Sequence, residues 1–457
     1  MDIKNMRSSL SVKLFVIGFL TALLMIPTGM IAVLVNDREN RQADAFREIS
    51  EKWGLEQTVT GPILTVPYKT VTEIQVAGET RTSEQVRYAH FLPEKLEVNG
   101  TLNPETRKRG IYEVAVYTAD LEIKGEFAAP DFSDWDIEAG NVMFERAFVS
   151  LGLPDLRGIR EEVTLDWNGA TAGFTPGLET NEVLASGMNA RVDLKGKETG
   201  ANKFSLRLKM NGSRDLMFAP VGKTTAVKLA SGWVSPSFQG AFLPQYELSG
   251  KGFIADWKVL ELNRSFPQKF LGTAPVTVQN QPFPEFREKP MSIAGASGLY
   301  GADFGVRLLI PADEYQQTVR ALKYAIMLLA LTFLVLFFYE AKRDVRVHPL
   351  QYILIGLALS LFYVLLLSLA EYIGFNLAYL AAALAVTAQI TLYSKAVFRA
   401  WRPAALEALI LVFIYGFIFV ILQLEDYALL AGSLGLFVIL GLVMYVSRQI
   451  DWYRVNN

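Results

Sequence analysis

Two histidines, His90 and His348, are the whole imidazole content of this chain, and no cysteine accompanies them. Thiolate catalysis, disulfides and cysteine-based metal sites are excluded. A histidine-activated nucleophile would have to rest on one of the two rings alone. His90 precedes Phe91-Leu92-Pro93 and reads as a strand-end residue, while His348 precedes Pro349 and reads as a helix start. Gly222-Lys223-Thr224 ends like a phosphate-binding loop, but the glycine needed five positions earlier is Met217. Ser297, in Gly295-Ala296-Ser297-Gly298, misses the spacing of a nucleophile elbow by one residue and reads as a turn. Asp131, Asp134 and Asp136 form an acidic cluster of the kind that is normally solvated. No catalytic, cofactor or metal site emerges, and the balance is against an enzyme.

The elements available to position these residues are dominated by apolar runs. The 457 residues are 51% hydrophobic, with a mean hydropathy of +0.25. That is high for a soluble protein and low for one immersed in lipid throughout. Runs at residues 322–339, 350–370, 377–393, 404–422 and 428–446 follow one another closely, and a sixth lies at 14–35. Each approaches the ~20 residues that a helix needs to cross a hydrocarbon core. The first run is longer than the roughly 7 to 15 apolar residues of a signal peptide, and Met30-Ile31-Ala32 has the wrong first residue for cleavage. An uncleaved anchor is expected.

Orientation follows from the basic residues beside the runs. Lys4, Arg7 and Lys13 precede the first run; Lys342, Arg343 and Arg346, then Lys395, Arg399 and Arg402, occupy alternate loops; Arg448 and Arg454 close the chain. The intervening loops carry Glu371, Glu425 and Asp426 instead. This predicts a cytoplasmic amino terminus (1–13), a cytoplasmic tail (447–457), and residues 36–320 outside as a periplasmic domain. The net charge of −2, with no basic tract, gives no reason to expect nucleic acid.

Between the first and second runs the periodicity changes. Residues 37–53 read as a helix with Phe46, Ile49 and Trp53 on one face, after which short β-branched segments begin near Val59. Asn99-Gly100, Asn168-Gly169 and Asn211-Gly212 are read as hairpin turns, because both residue types tolerate positive φ. Tyr112 to Ile123 reads as a strand pair, residues 141–151 as a helix, and 273–290, with four prolines, as an extended strap. A helix starting near Ala312 is expected to run straight into the second span. The predicted fold is a membrane α+β protein: six transmembrane helices, one N-terminal and five C-terminal, with a large, mainly antiparallel β domain inserted after the first.

Ionisable residues inside spans mark ion, proton or substrate pathways. Here Glu340 and Glu371 are terminal, Glu407 is placed in the first turn after Pro403 where an acid suits the helix dipole, and Gln389 is the main amide. Gly374, Ala378 and Ala382, and the pairs Ala428/Gly432 and Ala431/Gly435, have small-residue spacing for close helix packing. Glu371, Glu425 and Asp426 are expected to pair with basic residues at the base of the β domain, with Arg320 and Lys323 nearest in sequence.

Arg109-Gly110-Ile111-Tyr112, Asp155-Leu156-Arg157-Gly158-Ile159, Trp233 with Ser235-Pro236-Ser237-Phe238, His348-Pro349-Leu350-Gln351-Tyr352 and Glu371-Tyr372-Ile373-Gly374-Phe375-Asn376 together resemble the CreD family. The resemblance covers nearly the whole chain in order. It departs at Tyr372, where the family pattern has histidine. It implies a bacterial inner-membrane protein of the Cre regulon, described as a cell envelope integrity protein, linked to envelope stress, colicin tolerance and β-lactam response. It supplies no catalytic mechanism and no cofactor. The expectation is a non-enzymatic stress-response protein in contact with the lipid bilayer, whose β domain binds an unidentified envelope protein or lipid. The rival is a transporter or lipid-handling protein with a cleft between the spans. Oligomeric state is left open.

Overall fold

A computed structural model describes residues 10–76, 79–194, 200–273, 301–310, 314–343, 347–424 and 427–448. It divides into two units, Met1–Ala43 with Ala312–Asn457, and Asp44–Pro311.

In the first unit the apolar runs are helical, the form in which a segment satisfies its own backbone in lipid. Helix α1 (Leu10–Trp53) carries the first apolar run on into the polar segment expected to be helical. Its buried stripe, Leu20, Leu24, Ile31 and Val35, recurs at helical spacing. The remaining helices are α2 (Glu314–Lys323), α3 (Ala325–Arg343), α4 (Pro349–Ile373), α5 (Phe375–Phe398), α6 (Trp401–Gln423) and α7 (Ala428–Ser447). Among the described residues, five helices are long and apolar enough to cross a membrane, or six if the bent pair α2 and α3 counts as one span. Gly356 of α4 has no room for a side chain, since a Cβ there would lie 2.2 Å from Leu24 Cδ1. This absent side chain lets α1 pack closely onto α4.

The entry into the second span differs from expectation. Ala312 lies outside the described residues, and α2 and α3 meet at a 43° bend rather than running straight. The break falls where a polar, charged segment gives way to an apolar one. His348 does start a helix: its Nδ1 accepts from Leu350 N at 3.2 Å, Gln351 Oε1 accepts from His348 N at 2.9 Å, and Pro349 follows at the first helical position.

The second unit is built on two mixed sheets that share one hydrophobic core. One contains β13 (Pro236–Gly240), β17 (Phe304–Leu308), β11 (Asp215–Phe218), β1 (Gln57–Val76), β5 (Phe148–Gly152), β9 (Gly187–Arg191) and β8 (Thr175–Pro176), in that order. β2 (Glu79–Phe91) pairs with β1, and β16 (Lys269–Leu271) with β2. The other runs β14 (Gln245–Ser249), β15 (Gly252–Leu260), β12 (Thr224–Ser231), β3 (Lys95–Arg109), β4 (Tyr112–Phe127), β10 (Asn202–Ser213), β6 (Thr164–Trp167), β7 (Ala170–Gly173). Most pairings are antiparallel as expected, but β1 with β11 and β3 with β12 are parallel.

Three local readings are corrected. Only Asn168-Gly169 makes the hairpin turn, between β6 and β7, with φ of 51° and 85°. Asn99-Gly100 and Asn211-Gly212 lie within β3 and β10, where sheet neighbours crowd the glycines: a Cβ on Gly100 would meet Leu121 Cδ2 at 2.5 Å, and one on Gly212 the Tyr117 hydroxyl at 2.3 Å. Tyr112 to Ile123 is one strand rather than a pair. Val114, Ala115, Val116 and Tyr117 are all buried, so alternation resumes out of phase beyond them without a turn. Residues 141–151 are not helical: short 3₁₀ turns lead into β5, where every residue is buried between β1 and β9. A short, fully buried strand and a buried helix segment look alike in sequence. The proline-rich stretch beyond Thr273 and Ser297 lie outside the described residues.

Candidate functional site

Lys13 and Arg38 lie near opposite ends of the apolar part of α1, about 37 Å apart at the rise of an α-helix. Each meets a glutamate from the helices packed beside it. Lys13 Nζ donates to Glu340 Oε1 at 2.9 Å. Glu340, at the end of α3 and only 5% exposed, also accepts from Val347 N at 3.2 Å and from the Tyr352 hydroxyl at 3.1 Å. At the other end Arg38 Nε lies 3.6 Å from Glu371 Oε1, which accepts from the Tyr315 hydroxyl at 3.2 Å. Glu371 thereby joins α1, α2 and the last turn of α4. A carboxylate at each end fixes the height of α1 against the other helices.

The expected pairing set Glu371, Glu425 and Asp426 against Arg320 and Lys323; Arg320 and Lys323 lie in the last turn of α2, while Glu425 and Asp426 fall outside the described residues. Lys13 was legible only as a flanking charge, and Arg38 was not singled out. Nothing in their spacing named Glu371 and Glu340 as partners.

Within the second unit, the start of β1 is held by a polar collar. Gly54, at φ 147°, ends α1, and a Cβ there would lie 2.7 Å from Asn211 O. Ser213 Oγ donates to Gly54 O at 2.7 Å. Asp155 accepts from Leu55 N at 3.2 Å and from Arg157 N and Nε at 3.0 and 2.9 Å, and Gln57 Nε2 donates to Asp155 O at 3.1 Å. Arg214 Nε donates to Glu56 at 2.7 Å, with its guanidinium 4.7 Å from the Phe46 ring. Across the β11–β17 pair, Arg307 makes a two-pronged contact with Asp215 at 2.7 and 2.8 Å, and the buried Tyr117 hydroxyl donates to Asp215 O at 2.6 Å. Burial raises the Glu56 carboxyl above its ordinary range, reinforced by Asp215 and opposed by Arg214. Burial acts in the same sense on Asp155, but the Arg157 side chain and the backbone donors outweigh it and hold that carboxyl low. Trp53 Nε1 donates to Tyr117 O at 3.2 Å, while Arg107 stacks on its ring at 3.9 Å. The collar ties the last turn of α1 to the start of β1 and its neighbours.

A family model described as Inner membrane protein CreD matches residues 9–453. The chain belongs to the CreD family. Inner membrane protein CreD of Escherichia coli (strain K12) is 34% identical over 440 residues, covering 95% of this chain and 92% of that protein. Among solved structures, an M1 zinc metallopeptidase from Deinococcus radiodurans aligns over 74% of this chain and 89% of its own at 10% identity, with a TM-score of 0.20. A likeness that weak carries no argument about fold or chemistry.

The remaining sites weighed in the sequence can be placed in this CreD-family protein. His90, on β2, is 1% exposed; its Nδ1 lies 3.0 Å from Thr65 Oγ1 and its Nε2 3.2 Å from Glu182 Oε2, with the ring 5.3 Å from that of Phe270. The order hydroxyl, imidazole, carboxylate is that of a catalytic triad. Thr65 is itself 1% exposed on β1, paired with its neighbouring strands, so the hydroxyl faces protein rather than a substrate space. Asp131 and Asp134 both hold Lys269 Nζ, at 2.8 and 2.7 Å, and Lys269 lies 5.3 Å from the Trp135 ring. Hydrogen bonds from Lys269 and Ser133 keep the Asp131 carboxyl well below the usual carboxylate range. These acids pin a loop.

An accessible apolar surface of the β-rich unit lies at the β14 and β13 edges of the two sheets. β14 is an edge strand with every residue exposed, and Tyr246 and Leu248 on it stand with Leu243 as exposed apolar side chains. The Tyr246 ring lies 4.9 Å from that of Phe238 on β13, the edge of the other sheet. An open strand edge with an apolar lip is a template for an extended segment of another chain.

Proposed function

We propose that this CreD-family protein is a non-enzymatic component of the cell envelope, with the β-rich unit on the periplasmic side of the inner membrane and both termini in the cytoplasm. The β14 edge receives an extended protein segment by adding a strand to the sheet. Family membership supports the membrane and envelope assignment. The alternation of basic loops with acidic ones supports the orientation. The observation that carries the binding reading is the fully exposed edge strand beside Phe238, Leu243, Tyr246 and Leu248. The paired states of His90, Asp131 and Asp134 favour binding over hydrolysis. Within the β-rich unit, the collar at Gly54 to Gln57 anchors the start of β1.

Because the chain is free of cysteine, single cysteines report topology directly. Leu262→Cys is expected to react with an impermeant maleimide once the outer membrane is opened, and Lys395→Cys only after the inner membrane is lysed; the reverse pattern removes the orientation. For binding, a photoreactive residue at Tyr246 or Leu248 should capture one defined protein in living cells, and Leu243→Lys should abolish the adduct. Capture of lipid alone at these positions would favour the amphiphile-handling rival.

A further inference from the structure

Among the described residues of the helical unit two carboxylates, Glu340 and Glu407, are buried and a third, Glu371, is half-buried, and they are treated differently. Glu340 has Lys13 and Glu371 has Arg38. Glu407, 3% exposed, has neither an ion pair nor a hydrogen bond to either carboxylate oxygen among the described residues. Sequence reading placed it in the first turn of its helix. Helix α6 begins at Trp401, so Glu407 stands in the second turn, beyond the reach of the terminal dipole.

Other polar atoms share its situation. Ser394 Oγ and Thr387 Oγ1 on α5, Tyr363 OH on α4 and Tyr415 OH on α6 are all buried without a hydrogen-bond partner among the described residues. The Ser394 hydroxyl lies beside the Glu407 carboxylate without forming a well-directed hydrogen bond. Ser394 and Thr387 are two turns apart on one face of α5, and Glu407 and Tyr415 just over two turns apart on α6, which runs back alongside it. On α4, Phe362 beside Tyr363 packs its ring 4.7 Å from that of Tyr415. The unsatisfied groups therefore lie on three neighbouring helices, α4, α5 and α6, with the one carboxylate toward the α5–α6 loop end. Five oxygen-bearing side chains supply acceptors for water and hard-cation ligands, and the only formal charge among them is negative.

We propose that Glu407, Ser394, Thr387, Tyr415 and Tyr363 line an intramembrane site that takes up water together with a small monovalent cation. Glu407 balances the cation's charge at the α5–α6 loop end, and the hydroxyls coordinate water. Water at a buried site is held by two to four polar partners, and Glu407 with the neighbouring Ser394 hydroxyl begins such a set.

The experiment uses Ag⁺, a monovalent cation that reacts with thiols, and the full cysteine-free chain in native membranes. Single cysteines are placed at Ser394 and Thr387, and as lipid-facing controls at Leu409 and Phe413. After a timed Ag⁺ exposure, unreacted thiols are counted by maleimide labelling in denaturant. Ser394→Cys and Thr387→Cys should react about tenfold or more faster than the controls, the low end of the enrichment a charged cleft produces. Glu407→Gln should slow Ser394→Cys by about tenfold, while Glu407→Asp, which keeps the charge, should retain most of the rate. Excess Na⁺ or K⁺ should slow the reaction in the parent but not in Glu407→Gln. Rates no faster than the lipid-facing controls, or equal losses in Glu407→Gln and Glu407→Asp, would overturn the site. These readouts do not depend on whether β14 binds anything.

Discussion

The two units solve the problem of buried charge in opposite ways. In the β-rich unit, Asp215 faces the guanidinium of Arg307 through two bonds, and Asp155 collects donors from Arg157 and the backbone. In the helical unit, Glu340 and Glu371 are paired at the two ends of α1, but Glu407 between α5 and α6 is left without a partner among the described residues. Strands bring residues distant in sequence into register, and so Arg307 is brought opposite Asp215. Helices in lipid offer few cations, and an unpaired acid there is kept at a cost. The difference teaches where to look for structure and where to look for function.

If that contrast is right, the largest effect should come from breaking a satisfied pair. Arg307→Ala removes both close bonds to a mostly buried carboxylate, leaving it only Arg214 at 3.9 Å among the described residues, and should destabilise the β-rich unit by about 3 kcal/mol, seen as a lower melting temperature of the purified full-length protein. A wild-type melting curve would break the comparison. Glu340→Gln should cost less, about 1 to 2 kcal/mol, because Lys13 is partly exposed and the Tyr352 and Val347 hydrogen bonds can persist. Glu407→Leu should have the opposite sign: replacing an unpaired buried acid with an apolar side chain of similar size is expected to stabilise the helical unit by about 1 kcal/mol. Loss of stability in that variant would mean that Glu407 has a structural partner.

The collar allows a test by pH. The Asp155 carboxyl is held below its ordinary value, so its contribution is present above its unfolded pKa of about 4 and is lost as pH falls through the folded value. Glu56 is raised, so its contribution is present below its unfolded pKa and lost as pH rises through the folded value. Asp155→Asn should therefore flatten the acid side of a melting-temperature profile, and Glu56→Gln the opposite slope just above its unfolded pKa. The smallest effect is expected from Arg207→Ala. Its bonds to Asp120 are short, at 2.8 and 2.6 Å, but the arginine is exposed, and no measurable change in melting temperature should follow.

The apolar runs needed only their own composition to be recognised, because a helix satisfies its backbone within itself and its length is set by the bilayer. Residues 350–370 became Pro349–Ile373 and 404–422 became Trp401–Gln423. His348 was legible for the same reason, since its capping partners are Leu350 and Gln351, within three residues. Strand pairing depends on remote segments, and there local signals misled. Asn211-Gly212 has the composition of a turn, yet β10 continues through it against β4. Phe148–Gly152 is an interior strand only because β1 and β9 flank it.

By itself, then, the sequence determined which segments are helices of membrane length, that a β-rich region interrupts them, and that no thiol chemistry is available. Only the tertiary structure decided that Arg38 meets Glu371, that Arg307 meets Asp215, and that Glu407 meets no counter-charge among the described residues. Helix length is a local property of composition, whereas the environment of a charge is set by side chains tens or hundreds of residues away.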